Sequence, residues 1–225
     1  MRKIEDLVEF ADNPEPRCAC VLLLDVSSSM DGAPIAALNE GLKLFKEEVL
    51  KDDLASLRVE VGVIAFSHEV KRVSEFCTVD SFQPPTLTAN GSTHTGAAVR
   101  DALRMIEERK ATYKTAGVPY YRPWIMLITD GEPTGESDSF VDQVARELID
   151  AQTSKRVAFF AIGVAGANMQ KLQTFCTPQR GPAKLDGLKF GELFQWLSTS
   201  MSRVSQSQVT DAQIALPPPT GWTSV

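Results

Sequence analysis

Residues 18–26 read CACVLLLDV, an apolar run that is interrupted only by Asp25. A strand with one face in solvent alternates between apolar and polar residues, whereas a strand covered on both faces is apolar throughout. The run therefore predicts a central parallel strand with helices packed on both faces of its sheet. It ends at Asp25, followed by Ser27 and Ser29, and ligands bind at such carboxyl ends in open α/β sheets.

Strand and helix patterns alternate along the rest of the chain. Helices, with apolar residues three and four positions apart, are predicted near 35–49, 95–114, 138–154, 168–175 and 189–205. Strands are predicted at 57–67, 69–77, 122–130, 156–164 and 183–186, and the charged strand at 69–77 is expected at an edge, joined by a hairpin. The alternation predicts an α/β fold of the Rossmann-like type, with a mostly parallel central sheet, one antiparallel edge strand and helices on both faces.

The chain has 225 residues, a length that suits one domain of this class. Its composition divides it into a lead-in at 1–16, a domain at 17–206 and a proline-containing tail at 207–225. Trp222 in the tail is expected to dock on the domain or on a neighbouring molecule, and VPYYRP (118–123) is a candidate for an exposed binding rim. The sequence leaves the oligomeric state open.

Charge and cysteine content argue against several classes of protein. The formal net charge of −6, without any basic run, argues against a nucleic-acid partner and against an anionic membrane surface. No apolar run approaches the roughly 18 residues of a membrane span. Glu5, Asp6 and Glu9 interrupt what would be the apolar core of a signal peptide. The four cysteines lack zinc-binding spacing and are typical of small buried residues in a reducing compartment, so we expect a cytoplasmic location.

Polar side chains cluster at the predicted carboxyl edge of the sheet. Asp25, Ser27 and Ser29 alternate just past the first strand, so their side chains can converge on one point. Asp130 ends another predicted strand, and Thr93 lies in a loop that reaches the same edge. Carboxylate and hydroxyl oxygens are hard donors that suit Mg²⁺ or Mn²⁺ rather than zinc. The pattern therefore predicts a divalent-cation site.

The three stretches DVSSSM (25–30), GSTHTG (91–96) and ITDGEPT (128–134) resemble the metal-ion-dependent adhesion site of von Willebrand factor A domains. That family carries a DxSxS motif, then a threonine, then an aspartate, in this order along the chain. The resemblance covers about residues 18–205. It implies a site for Mg²⁺, with Mn²⁺ or Ca²⁺ as alternatives, whose ligands are Asp25, Ser27, Ser29, Thr93 and Asp130. It also implies that a glutamate or aspartate of a partner protein completes the coordination of the metal.

Within that family the chain is similar to the TerY-like proteins of bacterial tellurium-resistance clusters. The stretches GSTHTG, RPWIMLITDGEPT and LPPPTGW carry this likeness. It implies a setting of tellurite resistance and stress response, with a kinase and a phosphatase of the same cluster as possible partners. The scattered cysteines do not form a soft-ligand site for a tellurium oxyanion, so the protein is expected to act through partners.

Two other classes of protein stay open at this point. Haloacid-dehalogenase-like phosphatases also place an aspartate at a strand end, but their second aspartate is replaced here by Ser27, which cannot act as the acid. His94 is expected to be a structural or rim residue, so no catalytic residue is assigned and the protein is not expected to be an enzyme. A metal-free assembly scaffold is the other alternative, and the five matching ligand positions argue against it.

Three residues beside the predicted site are given ordinary roles. Thr95 is expected to cap the following helix or to hydrogen-bond the loop rather than to bind metal. Asp31 and Glu132 are expected to be solvated loop charges.

Overall fold

The computed structural model describes residues 10–164, 166–209 and 214–223. Most of the predicted lead-in and part of the predicted tail therefore lie outside the described residues. Six strands form one sheet in the order β3-β2-β1-β4-β5-β6. They are β1 (Cys18–Asp25), β2 (Val59–Phe66), β3 (Val70–Thr78), β4 (Trp124–Thr129), β5 (Ala158–Gly163) and β6 (Ala183–Lys184). β3 pairs antiparallel with β2, and every other pair is parallel, so the predicted fold class is confirmed.

Helices cover both faces of this sheet. They are α1 (Ala33–Val49), α2 (Asp53–Arg58), α3 (Thr95–Ala116), α4 (Asp138–Thr153), α5 (Met169–Gln173) and α6 (Phe190–Ser205), with one 3₁₀ turn at Ser28–Met30. The paired helices α1 and α6 bury their apolar stripes on one face, through side chains such as Leu38 and Leu197. α3 and α4 cover the other face, through side chains such as Val99 and Leu148. β1 is buried along its whole length, as its continuous apolar sequence predicts.

The prediction for 57–67 needs two corrections. Helix α2 occupies the residues before the strand, because the side chain of Asp52 caps it by accepting hydrogen bonds from the backbone of Leu54 and Ala55. The stretch LRVEVGVIAFS (57–67) alternates between apolar and polar residues, a pattern typical of a strand with one exposed face, but all eight residues of β2 are buried. Glu60, the charge in that pattern, is therefore a core residue and not a solvent-facing one.

The end of the described chain folds back on the domain. Trp222 is 2% exposed and its ring centroid lies 5.4 Å from that of Trp196 on α6. The Trp196 indole donates a hydrogen bond of 2.9 Å to the carbonyl of Pro217, and the backbone N–H of Asp186 donates one of 2.8 Å to the carbonyl of Trp222. Of the two sequence-based alternatives for Trp222, the structure shows docking on the domain itself.

The segment VPYYRP, suggested as an exposed rim, is exposed only in part: Pro119 and Arg122 are exposed, whereas Val118 and Pro123 are buried. Tyr121 is 3% exposed, and its hydroxyl donates to the backbone carbonyls at the end of α6, on Ser205 and Ser207. Trp124 is 4% exposed, as expected for a core residue. Elsewhere, no helix in the described part of the chain is both long enough and apolar enough to cross a bilayer.

Candidate metal centre

The central strands β1 and β4 bring the two predicted carboxylates together. The strands are parallel neighbours, with Leu24 opposite Ile128. Their carboxyl ends therefore lie side by side. Asp25 is the last residue of β1, and Asp130 directly follows the last residue of β4.

Asp25 is held by two hydrogen bonds in a fully buried position. Its Oδ1 accepts a hydrogen bond of 2.8 Å from the backbone N–H of Ser27, and its Oδ2 accepts one from the hydroxyl of Thr129. The sequence analysis did not identify Thr129 as a partner of Asp25. Its position at the end of β4, beside the end of β1, is the signal that could have shown it.

A chain of oxygen atoms connects the serines to the second carboxylate. The hydroxyls of Ser27 and Ser29 lie 3.1 Å apart, and the Ser29 hydroxyl donates a hydrogen bond of 2.8 Å to Oδ1 of Asp130. Ser27 is buried, whereas Ser29 is exposed and Asp130 is partly buried. The chain therefore runs from the interior towards the surface, as a site that receives a ligand from solvent requires.

Thr93 faces the same point from a loop. The loop carrying it is fixed to the next one by two hydrogen bonds, of 2.8 Å from the Thr134 backbone N–H to the Thr93 carbonyl and 3.0 Å from the Thr93 backbone N–H to the Thr134 hydroxyl. A Cβ placed on Gly131 would lie 3.2 Å from the Thr93 Oγ1 and 3.8 Å from the Asp25 Oδ2. Gly131 therefore leaves open the space that these two oxygens border.

The site brings two carboxylates, those of Asp25 and Asp130, close enough together to affect each other. Burial raises the pKa of Asp25, and the nearby charge of Asp130 raises it further, while hydrogen bonds from Ser27 and Thr129 act in the opposite direction. Among the residues that the structure describes, no cationic side chain contributes to this pKa. A bound cation would supply the missing positive charge.

The donor set fits a hard divalent cation. Asp25 and Asp130 supply carboxylate oxygens, and Ser27, Ser29 and Thr93 supply hydroxyl oxygens, the ligand types that Mg²⁺ and Ca²⁺ prefer. Among the described residues, no three His, Cys, Asp or Glu side chains converge on one point. A zinc-type cluster of such ligands is therefore not present in that part of the chain.

The role predicted for Thr95 beside the site is wrong. Thr95 does not cap α3 or bond the loop: its hydroxyl is buried without a hydrogen-bond partner. The carboxylate of Glu136 caps α3 instead, by accepting hydrogen bonds of 2.7 Å from the backbone of Gly96 and Ala97. Glu132 is an exposed loop residue, as predicted, and it accepts a hydrogen bond from the side chain of Asn168.

The expectations for Asp31 and His94 agree with the structure. Asp31 is exposed, as predicted. His94 is half-buried between loops, with its Nε2 2.6 Å from the position that a Cβ on Gly135 would take. This packing is that of a structural residue.

The fold and the sequence define the class of protein. Residues 20–185 match the von Willebrand factor type A domain family, and the chain belongs to that family. Domains of this kind typically bind protein partners.

Two collagen chains are similar to this protein in sequence over part of their length. It is 29% identical over 135 residues to the collagen alpha-6(VI) chain and 25% identical over 200 residues to the collagen alpha-5(VI) chain, both of Mus musculus. These matches cover 59% and 84% of this chain but 6% and 7% of the collagen chains, so the chain spans a small part of those relatives.

Solved structures confirm the fold. A von Willebrand factor type A protein from Catenulispora acidiphila superposes with a TM-score of 0.66 at 17% identity, over 84% of this chain and 43% of that one. The pilus adhesin SpaC from Lactobacillus rhamnosus GG superposes with a TM-score of 0.67 at 17% identity, over 84% of this chain and 31% of that one.

Proposed function

We propose that this protein is a metal-dependent protein-binding module, in which a divalent cation held at the carboxyl edge of the sheet binds an acidic side chain of a partner. The cation is Mg²⁺, with Mn²⁺ or Ca²⁺ as alternatives. The observation that carries the proposal is the continuous set of oxygen atoms from buried Ser27 through Ser29 to Asp130, next to Asp25. When bound, the cation supplies positive charge that attracts a carboxylate of the partner.

The chain's own residues prepare this site in different ways. Asp25 fixes the turn after β1, because its carboxylate holds the backbone N–H of Ser27. Ser27 and Ser29 offer uncharged oxygens, so they bind a cation without cancelling its charge. Thr93 and Asp130 supply further oxygens from two other loops. Because three of these five side chains are uncharged, the cation remains able to accept one more carboxylate, from a glutamate or aspartate of a partner.

The same residues support a binding role over an enzymatic one. Position 27 is a serine and not the second aspartate of a phosphatase, and His94 packs between loops, so neither residue supplies a catalytic acid beside the oxygen cluster. We therefore propose that the protein does not act as an enzyme.

We further propose a cytoplasmic, TerY-like role in bacterial tellurite resistance and stress response, with a kinase and a phosphatase of the same cluster as candidate partners. The motifs GSTHTG, RPWIMLITDGEPT and LPPPTGW support this setting. Burial raises the pKa of Cys20 and Cys176 to about 12, so these thiols stay protonated and unreactive. Such cysteines favour action through partners rather than on tellurite itself.

Retention of a partner is expected to require both the cation and Asp25. The protein serves as bait in a pull-down from the native cytosol, in Mg²⁺, in EDTA, and in Mg²⁺ with Asp25→Ala. We expect the partner in the first condition and its absence from the other two. A partner that is retained equally in all three would contradict metal-gated binding and would direct the search to another surface.

Gly131→Ala is expected to weaken Mg²⁺ affinity by about tenfold without unfolding the protein, since the new methyl group would press on the Thr93 hydroxyl at 3.2 Å. Isothermal titration calorimetry measures the change. Gly191→Ala is the matched control, because its methyl group would meet Leu44 at an ordinary 3.5 Å, far from the site. Equal affinities for both variants would mean that Thr93 does not contribute to the cation site.

A further inference from the structure

A second candidate site lies at the amino-terminal ends of the strands, whereas the metal centre lies at their carboxyl-terminal ends. A cavity of about 550 Å³ opens where β4 and β5 begin, and the first residues of these strands, Trp124 and Ala158, line it. Asp130 comes after the other end of β4. The six residues of β4 therefore separate the two sites by roughly 20 Å.

The inner walls of this cavity are apolar. Phe160 of β5 and Val204 of α6 form part of them, and Ile214 and Leu216 of the folded-back tail close one side. The hydrogen bond from Trp196 to the carbonyl of Pro217 holds this tail segment against α6. The volume lies within the range of roughly 300–1,000 Å³ that is typical of small-molecule sites.

Three cationic side chains, those of Arg122, Lys155 and Arg180, also line the cavity. A neighbouring cavity of about 430 Å³ is lined by the same three residues. Among the described residues that line either cavity there is no aspartate or glutamate. This concentration of positive charge contrasts with the formal net charge of −6 of the whole chain.

The two arginines are positioned by contacts that leave their charge uncompensated. Arg122 donates hydrogen bonds of 2.8 Å to the carbonyls of Val157 and Gln152, which fix its guanidinium without neutralising it. Arg180 lies over the ring of Phe160, with its Cζ 4.4 Å from the ring centroid. Burial lowers the pKa of both arginines, and the charge of Arg180 lowers that of Arg122 further. An anion beside them would relieve both effects.

We propose that this cavity binds a small organic anion, whose apolar body fills the space between α6, β5 and the tail and whose carboxylate or phosphate group meets Arg122, Lys155 and Arg180. Guanidinium groups bind such anions through paired N–H donors. The apolar walls also favour a ligand with an apolar body, which inorganic phosphate lacks. The ligand class is therefore an amphiphilic anion, and the site is independent of the cation site.

The test titrates the full chain with octanoate and with adenosine monophosphate, an aliphatic carboxylate and an aromatic phosphate. The uncharged analogue of octanoate is 1-octanol, and that of adenosine monophosphate is adenosine. Inorganic phosphate serves as the anion without an apolar body. Calorimetry gives Kd, and the NMR signal of the Trp124 indole reports whether the ligand occupies this cavity.

The variant is Arg180→Gln with Lys155→Gln, because neither side chain has a hydrogen bond or ion pair to a described residue that the change would break. Lys43→Gln on the exposed surface of α1 is the control.

We expect at least one of the two anions to bind. Its uncharged analogue and inorganic phosphate should bind at least about tenfold more weakly, and the double variant should also bind the anion at least about tenfold more weakly. Affinity should also fall as salt rises, a readout that needs no variant. The proposal is overturned if neither anion binds at millimolar concentration, if binding is insensitive to salt, or if the folded double variant binds as the Lys43→Gln control does.

Discussion

Replacing Asp25 by asparagine is expected to abolish Mg²⁺ binding and to leave the metal-free fold at least as stable as before. The amide has the shape of the carboxylate, so its oxygen can still accept from the backbone N–H of Ser27. Its NH₂ group can donate to the Thr129 hydroxyl, which can in turn donate to the Gly131 carbonyl at 3.4 Å. The buried position is therefore satisfied without a charge.

The stability change has a definite sign because the native site disfavours the charge it holds. Burial and the charge of Asp130 raise the pKa of Asp25, so ionised Asp25 is less favourable in the metal-free fold than in the unfolded chain. A neutral asparagine removes that cost together with a negatively charged ligand. Function and stability then oppose each other at one residue, as is common at binding sites.

Thermal unfolding with and without Mg²⁺ measures both effects together. At 100 times Kd a cation stabilises a protein by about 2.7 kcal/mol. For a chain of this size that raises Tm by roughly 5–10 °C. We expect this shift in the unmodified protein and at most about 1–2 °C in Asp25→Asn, whose affinity should fall by about 100-fold or more. Asp31→Asn, on an exposed residue nearby, should keep the full shift. A full shift in Asp25→Asn would remove Asp25 from the cation site.

The order of elements and the positions of the oxygen ligands could be predicted because both depend on local sequence. A continuous apolar strand such as β1 has no other stable place than the middle of a covered sheet. The DxSxS spacing places Ser27 and Ser29 beside Asp25 through a short turn, and the neighbouring strand end adds Asp130. That these residues bind a cation stays a prediction.

The features that could not be predicted depend on contacts between residues distant in sequence. Glu136 caps α3 from about 40 positions away, so a sequence pattern assigned that role to the adjacent Thr95. Tyr121 was read as an exposed residue because nothing in VPYYRP shows that it meets the end of α6. A charge within an alternating strand reads as solvent-facing, which is why the burial of Glu60 was missed.

Glu60 is the centre of a buried ionic cluster at the amino end of β2. It is fully buried and accepts a hydrogen bond of 2.9 Å from Arg17 and two of 2.8 Å from Arg109. The hydroxyl of Tyr113 donates to the same carboxylate. The ring of Phe10 lies against both guanidinium groups, with centroid distances of 5.2 and 5.0 Å. The cluster thus joins the residues before β1 to the sheet and to α3.

Glu60→Gln is expected to reduce the free energy of unfolding by about 3–5 kcal/mol, because it removes a buried negative charge that Arg17 and Arg109 both contact. Urea denaturation of the metal-free protein measures the loss. The matched control is Glu69→Gln, which breaks an exposed ion pair with Lys71 near the hairpin between β2 and β3 and should leave the free energy of unfolding almost unchanged.

Comparable losses in the two variants would mean that solvent reaches Arg17 and Arg109 and screens their charge. A second comparison separates the charge from the hydrogen bonds. Tyr113→Phe removes one donor to Glu60 and keeps both ion pairs, so it should cost about 1–3 kcal/mol. If Glu60→Gln loses more free energy of unfolding than Tyr113→Phe, the ionic contacts and not the hydroxyl hydrogen bond stabilise this end of the sheet. These contacts lie at the end of the strands opposite the cation site. Because that end is separate, the affinity of Glu60→Gln for Mg²⁺ should be unchanged under conditions where the variant is folded.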